Sequence, residues 1–158
     1  MVYGDFTDGV KEDTICSPQG QYGIMKLMGE DLVKDYTRHN CFDHVIIRPS
    51  AVYGEYDVED RVVSKFLLTA MRGGDIYVNG AKEELDFTYV TDAANGIASA
   101  AVNDNTNNAT YNITRGQSKT LLEAAELAVN IVGQGSINVQ LPDDNFPSRG
   151  QLNIQKTH

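Results

Sequence analysis

The segment Tyr22-Gly23-Ile24-Met25-Lys26 places a tyrosine and a lysine four residues apart. Residues i and i+4 lie on the same face of an α-helix, so the phenol and the ammonium can be presented together to one ligand. The same spacing also occurs on the plain surface of many helices. The sequence on either side of the segment therefore decides how the pair is interpreted.

A helix is predicted around this pair. Ser17 and Pro18 supply an N-cap and a proline for the first helical position, and the helix is predicted to run to about Arg38. Apolar side chains recur along it at intervals of three and four residues: Met25, Met28, Leu32 and Tyr36. Such a stripe needs a partner that buries it.

The β-branched run at 44–47 ends at Arg48-Pro49 and predicts a buried parallel strand. Ligands of open α/β sheets bind outside the carboxyl ends of such strands, so the loop 50–54 is a candidate wall of a site. A second helix is predicted at 61–72. A third is predicted to begin at a cap formed by Thr91 or Asp92. A fourth is predicted at 120–132, where Thr120 and Glu123 form a capping box. Further strands are predicted at 76–78, 86–90, 111–113 and 137–141, the first two joined by a turn.

Composition limits the class of protein. A chain of 158 residues with 41% hydrophobic and 22% charged residues is typical of one soluble globular domain. The net charge of −9 argues against a nucleic-acid surface. No apolar run approaches the ~20 residues that span a bilayer, and no secretory signal is present, which predicts a cytoplasmic protein without a membrane partner. The cysteines and histidines have no metal-ligand spacing, so no metal site is expected.

Several motifs occur in a characteristic order. VYGD at 2–5 precedes the Tyr22/Lys26 pair, and IIRPSAVYG at 46–54, DFTYVTDAANGI at 86–97 and YNIT at 111–114 follow it. This order resembles the extended short-chain dehydrogenase/reductases, specifically the NAD-dependent nucleotide-sugar epimerases and dehydratases. The resemblance covers essentially the whole chain. It implies an α/β fold: a partial Rossmann-like parallel sheet with a small α/β substrate-binding part.

Members of that family begin with a Gly-rich cofactor-binding unit, and no such fingerprint occurs in this sequence. We therefore expect the chain to correspond to the C-terminal half of a family protein. Residues 1–54 would be the remainder of the dinucleotide-binding domain, with the Tyr22/Lys26 helix, and residues 55–158 a mixed substrate-binding region.

The resemblance implies roles for the central pair. Tyr22 would be the general acid/base at a sugar hydroxyl, with NAD as the cofactor. A free phenol titrates near pH ~10, and an adjacent ammonium lowers a phenol's pKa by ~1 to 3. Lys26 would supply that ammonium and hold the nicotinamide ribose, although a solvated helix lysine is the structural alternative. The family's catalytic Ser or Thr would lie before Met1.

The resemblance also implies further binding residues. Pro49 and Ser50 would lie beside the nicotinamide. The nucleotide-diphosphate sugar would contact five residues near the base and diphosphate, namely Arg61, Val62, Tyr77, Val78 and Asn79. Arg149 would grip the pyrophosphate, with a surface salt bridge as its alternative role. Ala51 and Leu85 depart from the family pattern, because many relatives have Asn and Arg there.

Two functional hypotheses remain open. The chain is either the catalytic and substrate portion of a nucleotide-sugar epimerase, an isomerase inactive without its cofactor half, or a truncated, non-catalytic binding or oligomerisation protein. Dehydratase and decarboxylase are the alternatives within the family. Dehydratases carry an Asp-Glu pair just before VYG, so a native Met1 would favour an epimerase. An uncovered sheet edge and helix face predict a homo-oligomer such as a dimer, and the missing pyrophosphate cradle predicts weak or no NAD binding by this chain alone.

Overall fold

The computed structural model describes residues 2–6, 9–40, 42–142 and 148–157. The helices in these residues are α1 (Gly20–Asn40), α2 (Val62–Met71), α3 (Val90–Val102) and α4 (Leu121–Val132). The strands are β1 (Val45–Pro49), β2 (Val52–Tyr53), β3 (Asp75–Asn79), β4 (Glu84–Asp86), β5 (Thr88–Tyr89), β6 (Ala109–Ile113), β7 (Ser118–Thr120) and β8 (Ser136–Gln140). Three of the four strand pairs are parallel, which confirms the predicted α/β class.

The predicted parallel strand is β1, and it pairs with β6 from Val45 opposite Ala109 to Pro49 opposite Ile113. The helix α3 packs against both strands. A Cβ atom added at Gly96 would lie 3.0 Å from the side chain of Ile113, so the missing side chain permits this close approach. The β1–β6 pair thus forms a covered platform whose carboxyl end carries Pro49 and Ser50.

The second group of strands belongs to a separate layer. The strand β3 pairs in parallel with β8, and β4 pairs antiparallel with β7. The helices α2 and α4 pack together over this layer. Its buried core consists of Phe66, Ala70, Ile76, Val78, Leu85, Leu121, Ala125 and Ala128.

The predicted turn between β3 and β4 is present, with the Glu83 N–H donating to the Gly80 carbonyl at 3.0 Å. The two strands nevertheless pair with different partners. Burial alternates along β3, with Ile76 and Val78 fully buried and Tyr77 exposed between them, and the strand pairs with β8 instead of forming a hairpin with β4. The predicted strand 86–90 is also divided, because β4 and β5 pair with different strands.

The helix α1 begins two residues later than predicted. Gly20 has φ = +71°, a left-handed conformation through which a right-handed helix cannot continue, so Pro18 lies outside the helix. The predicted apolar stripe faces outward. Its members are between 56% and 70% exposed: Met25, Met28, Leu32 and Tyr36.

The predicted cap of α3 is wrong. The helix begins at Val90 with Tyr89 as its N-cap, and no side chain caps it. Asp92 lies inside the first turn, where a carboxylate is stabilised by the positive end of the helix dipole. The predicted capping box of α4 is confirmed, because Thr120 and Glu123 each accept a hydrogen bond from the other's backbone N–H.

The first described residues pack against the last ones. Val2, Tyr3, Val10 and Leu152 form a small buried cluster. Val10 and Leu152 make a parallel bridge, and the Phe6 N–H donates to the Ser148 carbonyl at 3.0 Å. These two segments are therefore held together beside the carboxyl end of β1.

The proposed division at residue 54 stays a prediction. The later strand β6 pairs with β1, which precedes that position. Among the described residues, no helix combines the length and apolar character needed to cross a membrane.

Candidate active site

A cleft of about 250 Å³ opens where α1, the carboxyl end of β1 and the two chain ends meet. Five residues predicted to bind cofactor or substrate line it: Tyr22, Lys26, Pro49, Ser50 and Arg149. The remaining walls include the apolar side chains of Val2, Ile47 and Leu152. The cleft therefore combines a few polar groups with an apolar floor, as small-molecule sites do.

Tyr22 and Lys26 lie on the first turns of α1. The Lys26 Nζ lies 5.4 Å from the centre of the Tyr22 ring, a cation–π arrangement. Tyr22 is 61% exposed and Lys26 is also exposed. Both polar groups can therefore reach a ligand in the cleft.

The segment after β1 turns sharply into the cleft wall. Ala51 has φ = +27°, in the left-handed region that residues with a side chain rarely adopt. The Ala51 carbonyl accepts a hydrogen bond from the Thr88 N–H at 3.2 Å, which holds the turn against β5. Unusual backbone conformations of this kind concentrate at functional sites.

A buried ion pair lies at the base of the cleft. Arg48 donates from Nε to Glu30 Oε1 at 2.9 Å and from Nη2 to Glu30 Oε2 at 2.6 Å. Burial alone would lower the pKa of Arg48, but hydrogen bonds with Glu30 and the neighbouring Tyr3 outweigh this effect and raise it. The guanidinium is therefore a permanent cation beneath the site.

Tyr3 packs beneath the same guanidinium, with the Arg48 Cζ 4.7 Å from its ring centre. The Tyr3 hydroxyl donates to Asn112 Oδ1 at 2.7 Å. Burial raises the pKa of Tyr3, although the hydrogen bond and charge of Arg48 oppose this change. Tyr3 is thus a neutral, buried hydrogen-bond donor.

Arg149 lies half-buried at the edge of the cleft. Burial lowers the pKa of its guanidinium, and the carboxylate of Asp5 partly counteracts this effect. Asp5 also fixes the segment, because its Oδ1 accepts the Ser148 N–H at 3.0 Å. Arg149 stays charged at neutral pH and is suited to an anionic group.

The other predicted substrate residues are not among the described residues that line this cleft: Arg61, Val62, Tyr77, Val78 and Asn79. Arg61 is the exposed N-cap residue of α2, and Val62 packs against the buried core that α2 and α4 share with β3. Tyr77 and Asn79 are exposed on β3, whereas the side chain of Val78 between them is fully buried. Their proposed contacts with a nucleotide stay predictions.

Sequence reasoning missed the ion pair beneath the cleft. Two signals could have revealed it. Arg48 is a charged residue at the end of a β-branched run of the kind that predicts a buried strand, and Glu30 follows Lys26 by another four residues on the same helix face. In the part of the chain that the structure describes, no group of three or more His, Cys, Asp or Glu side chains could hold a metal ion.

The profile of the NAD dependent epimerase/dehydratase family matches residues 1–114 of the chain. The uncharacterized UDP-glucose epimerase YtcB of Bacillus subtilis is 28% identical over 134 residues, which cover 84% of this chain and 42% of that protein. The UDP-glucuronic acid 4-epimerase of Bacillus cereus, solved with UDP-glucuronic acid and NAD, superposes with a TM-score of 0.90 at 25% identity. That match covers 99% of this chain and 51% of the solved one.

The UDP-glucose 4-epimerase of Thermus thermophilus, solved with NAD, superposes with a TM-score of 0.89 at 21% identity. That match covers 99% of this chain and 53% of the Thermus thermophilus chain. The fold seen here is therefore also that of solved enzymes from several bacteria. The chain spans about half the length of the proteins that it matches.

Proposed function

The chain belongs to the NAD dependent epimerase/dehydratase family, and from this membership we propose that its cleft is the catalytic and sugar-binding part of a nucleotide-sugar epimerase. The observation that carries the proposal is the convergence of Tyr22, Lys26, Pro49, Ser50 and Arg149 on one cleft. These residues come from three separate segments of the chain. Their convergence gives the Tyr22/Lys26 spacing a chemical context that the spacing alone does not have.

Tyr22 would act as the general acid/base. As the phenolate, which the nearby ammonium of Lys26 would stabilise, Tyr22 would take the proton of a sugar hydroxyl and so become a neutral phenol. It would later return this proton to the sugar oxygen. NAD, when bound, supplies the hydride acceptor for the same carbon.

The residues present suit the nicotinamide end of NAD. Lys26 can donate to ribose hydroxyls, and Pro49 and Ser50 would lie beside the ring. Ile47 and Val2 add an apolar surface to the cleft. This part of the site would therefore hold one end of the cofactor, and the chain alone would bind NAD weakly because its sequence has no Gly-rich pyrophosphate cradle.

Arg149 would bind the diphosphate of the sugar nucleotide. A guanidinium at the edge of the cleft can make two parallel hydrogen bonds with phosphate oxygens. The solved Bacillus cereus relative holds UDP-glucuronic acid, a ligand with such a diphosphate. Arg61, Val62, Tyr77 and Asn79 would contact the nucleotide further from the reacting carbon, whereas Val78, fully buried between the last two, would not reach it.

A second candidate function is a non-catalytic oligomerisation protein. The exposed apolar stripe of α1 favours association, which is compatible with either function. Catalysis is therefore the property that separates the two.

A chimera provides that test. The 158-residue sequence is joined to the N-terminal half of the Thermus thermophilus relative and incubated with NAD and UDP-glucose, UDP-glucuronic acid or dTDP-glucose. Chromatography of the products separates epimers from dehydrated and decarboxylated sugars. We expect an epimer, and we expect Tyr22→Phe to lower kcat by roughly 10²- to 10⁴-fold, the usual contribution of a general acid/base.

Tyr36→Phe is the matched control, because it removes the hydroxyl of another exposed tyrosine on α1 that does not belong to the cleft lining. It should leave kcat unchanged. Equal turnover by the Tyr22→Phe chimera and the unmodified chimera would exclude the proposed role. A dehydrated or decarboxylated product would replace the epimerase assignment with one of its alternatives.

A further inference from the structure

The ion pair between Glu30 and Arg48 connects the two walls of the cleft. Glu30 belongs to α1, and Arg48 is the residue of β1 directly before Pro49. The side chains are only 10% and 8% exposed, and they form two parallel hydrogen bonds of 2.9 and 2.6 Å. A bidentate pair of this kind fixes direction as well as distance.

Glu30 shares a helix face with the proposed catalytic residues. It follows Lys26 by four residues and Tyr22 by eight. With 3.6 residues per turn, these offsets turn the side-chain direction by only about 40° and 80°. A rotation of α1 that broke the ion pair would therefore also turn Tyr22 and Lys26 relative to the cleft.

Apolar packing provides little alternative control over this rotation. The large apolar side chains Met25, Met28 and Leu32 point outward and are each more than 60% exposed. On the inner face, Gly23 is buried but has no side chain, and the half-buried Leu27 packs against the cluster that includes Tyr3 and Leu152. The Glu30 carboxylate makes a bidentate contact with Arg48 of β1. A single hydrogen bond of 2.9 Å between the Thr37 hydroxyl and His44 Nδ1 also joins α1 to the residue before β1.

Arg48 is itself held on its other sides. Its Nη1 donates to the Glu12 carbonyl at 3.1 Å, and its guanidinium lies over the ring of Tyr3. The Tyr3 hydroxyl donates to Asn112 on β6 at 2.7 Å. Asn112 in turn donates to the Val10 carbonyl at 3.2 Å, so the anchor extends into both the sheet and the chain end.

We propose that Glu30 and Arg48 are positioning residues that set the orientation of α1 and thereby direct Tyr22 and Lys26 into the cleft. The catalytic significance of this orientation rests on the proposed function. The orientation itself can be measured without ligand or turnover. A displacement of about 1 Å in a reacting group can cost roughly 10²-fold in rate, so such an anchor would matter for catalysis.

The test measures the distance between α1 and the platform by double electron–electron resonance on the full 158-residue chain. Nitroxide labels are placed at Gln21→Cys, beside Tyr22, and at Ala98→Cys on α3, which packs against β1. Both positions are exposed. The native cysteines are replaced by serine, and dilution with unlabelled protein removes distances between different molecules.

We expect one narrow distance in the otherwise unchanged chain and its loss, by broadening or displacement, in Glu30→Gln. Asp31→Asn is the matched control, because Asp31 is 69% exposed and pairs with Lys34 at 3.7 Å on the same helix. The control should keep the narrow distance. A distance that changes equally in the control would overturn the proposal, since it would then reflect the charge of α1 in general.

A second variant separates orientation from stability. Replacing both partners, Glu30→Met with Arg48→Met, removes the buried charges, and such replacements are often neutral or stabilising. We expect this variant to remain folded but to lose the narrow distance. A narrow, unchanged distance in either Glu30→Gln or the double variant would show that the pair does not position α1. A Tyr22→Phe chimera that turns over as fast as the unmodified chimera would exclude the proposed catalytic role of Tyr22 without affecting this measurement.

Discussion

At the scale of single residues, each ionisable group beneath the cleft is held in one protonation state. Arg48 is kept charged by Glu30, and Tyr3 is kept neutral by burial. A buried charge is tolerated when it is paired and hydrogen-bonded, and this arrangement meets both conditions. Tyr22 and Lys26, on the helix above these groups, are exposed and accessible to a ligand.

The raised pKa of Tyr3 predicts a loss of stability in alkali. The folded phenol has a pKa above 10.0, whereas the unfolded phenol titrates near that value. The unfolded chain therefore loses its proton first, so the stabilising contribution is complete below pH ~10 and is lost as the pH rises through the folded pKa. In Tyr3→Phe this alkaline decrease should be smaller.

Urea unfolding at about pH 7 and at several values above about pH 10 measures the effect. At neutral pH, Tyr3→Phe should lower the free energy of unfolding by about 0.5 to 1.5 kcal/mol, because the hydrogen bond to Asn112 is lost. Tyr56→Phe alters a fully exposed tyrosine and serves as the control. If Tyr3→Phe and the unmodified chain lose stability equally in alkali, Tyr3 is not the titrating group.

At the scale of helices and strands, local signals predicted where elements occur but not which faces they bury. The capping box at Thr120 and Glu123 fixed the start of α4, because both partners lie within one turn of chain. The strand at Val45–Pro49 followed from its β-branched run. The partners of β3 and β4 could not be predicted in this way, since β8 lies more than 50 residues after β3.

The helix α1 shows the same limit. Its apolar stripe was visible in the sequence. The face that the helix turns inward, however, carries Glu30, whose partner Arg48 lies 18 residues further along the chain. Motif order placed Tyr22, Lys26, Pro49, Ser50 and Arg149 at one site, and the structure brings all five to one cleft. Motif order says nothing about polar contacts beneath a site, which explains why the ion pair was missed.

The exposed stripe of α1 predicts self-association. Burial of a methionine or leucine side chain contributes roughly 1.5 to 3 kcal/mol. Met28→Lys with Leu32→Lys should therefore weaken a dimer by more than about tenfold. Light scattering and sedimentation over a range of concentrations measure the dissociation constant.

Leu127→Lys changes an apolar residue of α4 that is 59% exposed, and it tests whether any exposed apolar side chain has this effect. It should leave the dimer intact. A monomer at high concentration in the unmodified chain would contradict the prediction. An unaffected dimer in the α1 variant would instead place the contact elsewhere, such as at an open strand edge.

At the scale of the whole molecule, the cleft is formed by segments from both ends of the chain, yet the chain spans about half the length of its relatives. The partial length has a measurable consequence for cofactor binding. The proposed contacts reach only the nicotinamide and its ribose, through Lys26, Pro49 and Ser50. Dinucleotide affinity in this class of fold depends strongly on a Gly-rich turn at a helix N-terminus, which this sequence does not contain.

The isolated 158-residue chain should therefore bind NAD and nicotinamide mononucleotide with similar, weak affinities, with dissociation constants near or above about 1 mM. Isothermal titration calorimetry compares the two ligands directly, and Lys26→Met is expected to weaken both equally because both carry the same ribose. The mononucleotide has one phosphate and no adenosine, so it reports the contacts of the cleft alone. Micromolar NAD binding, or NAD binding about 100-fold tighter than the mononucleotide, would mean that residues of this chain hold the pyrophosphate or adenosine after all.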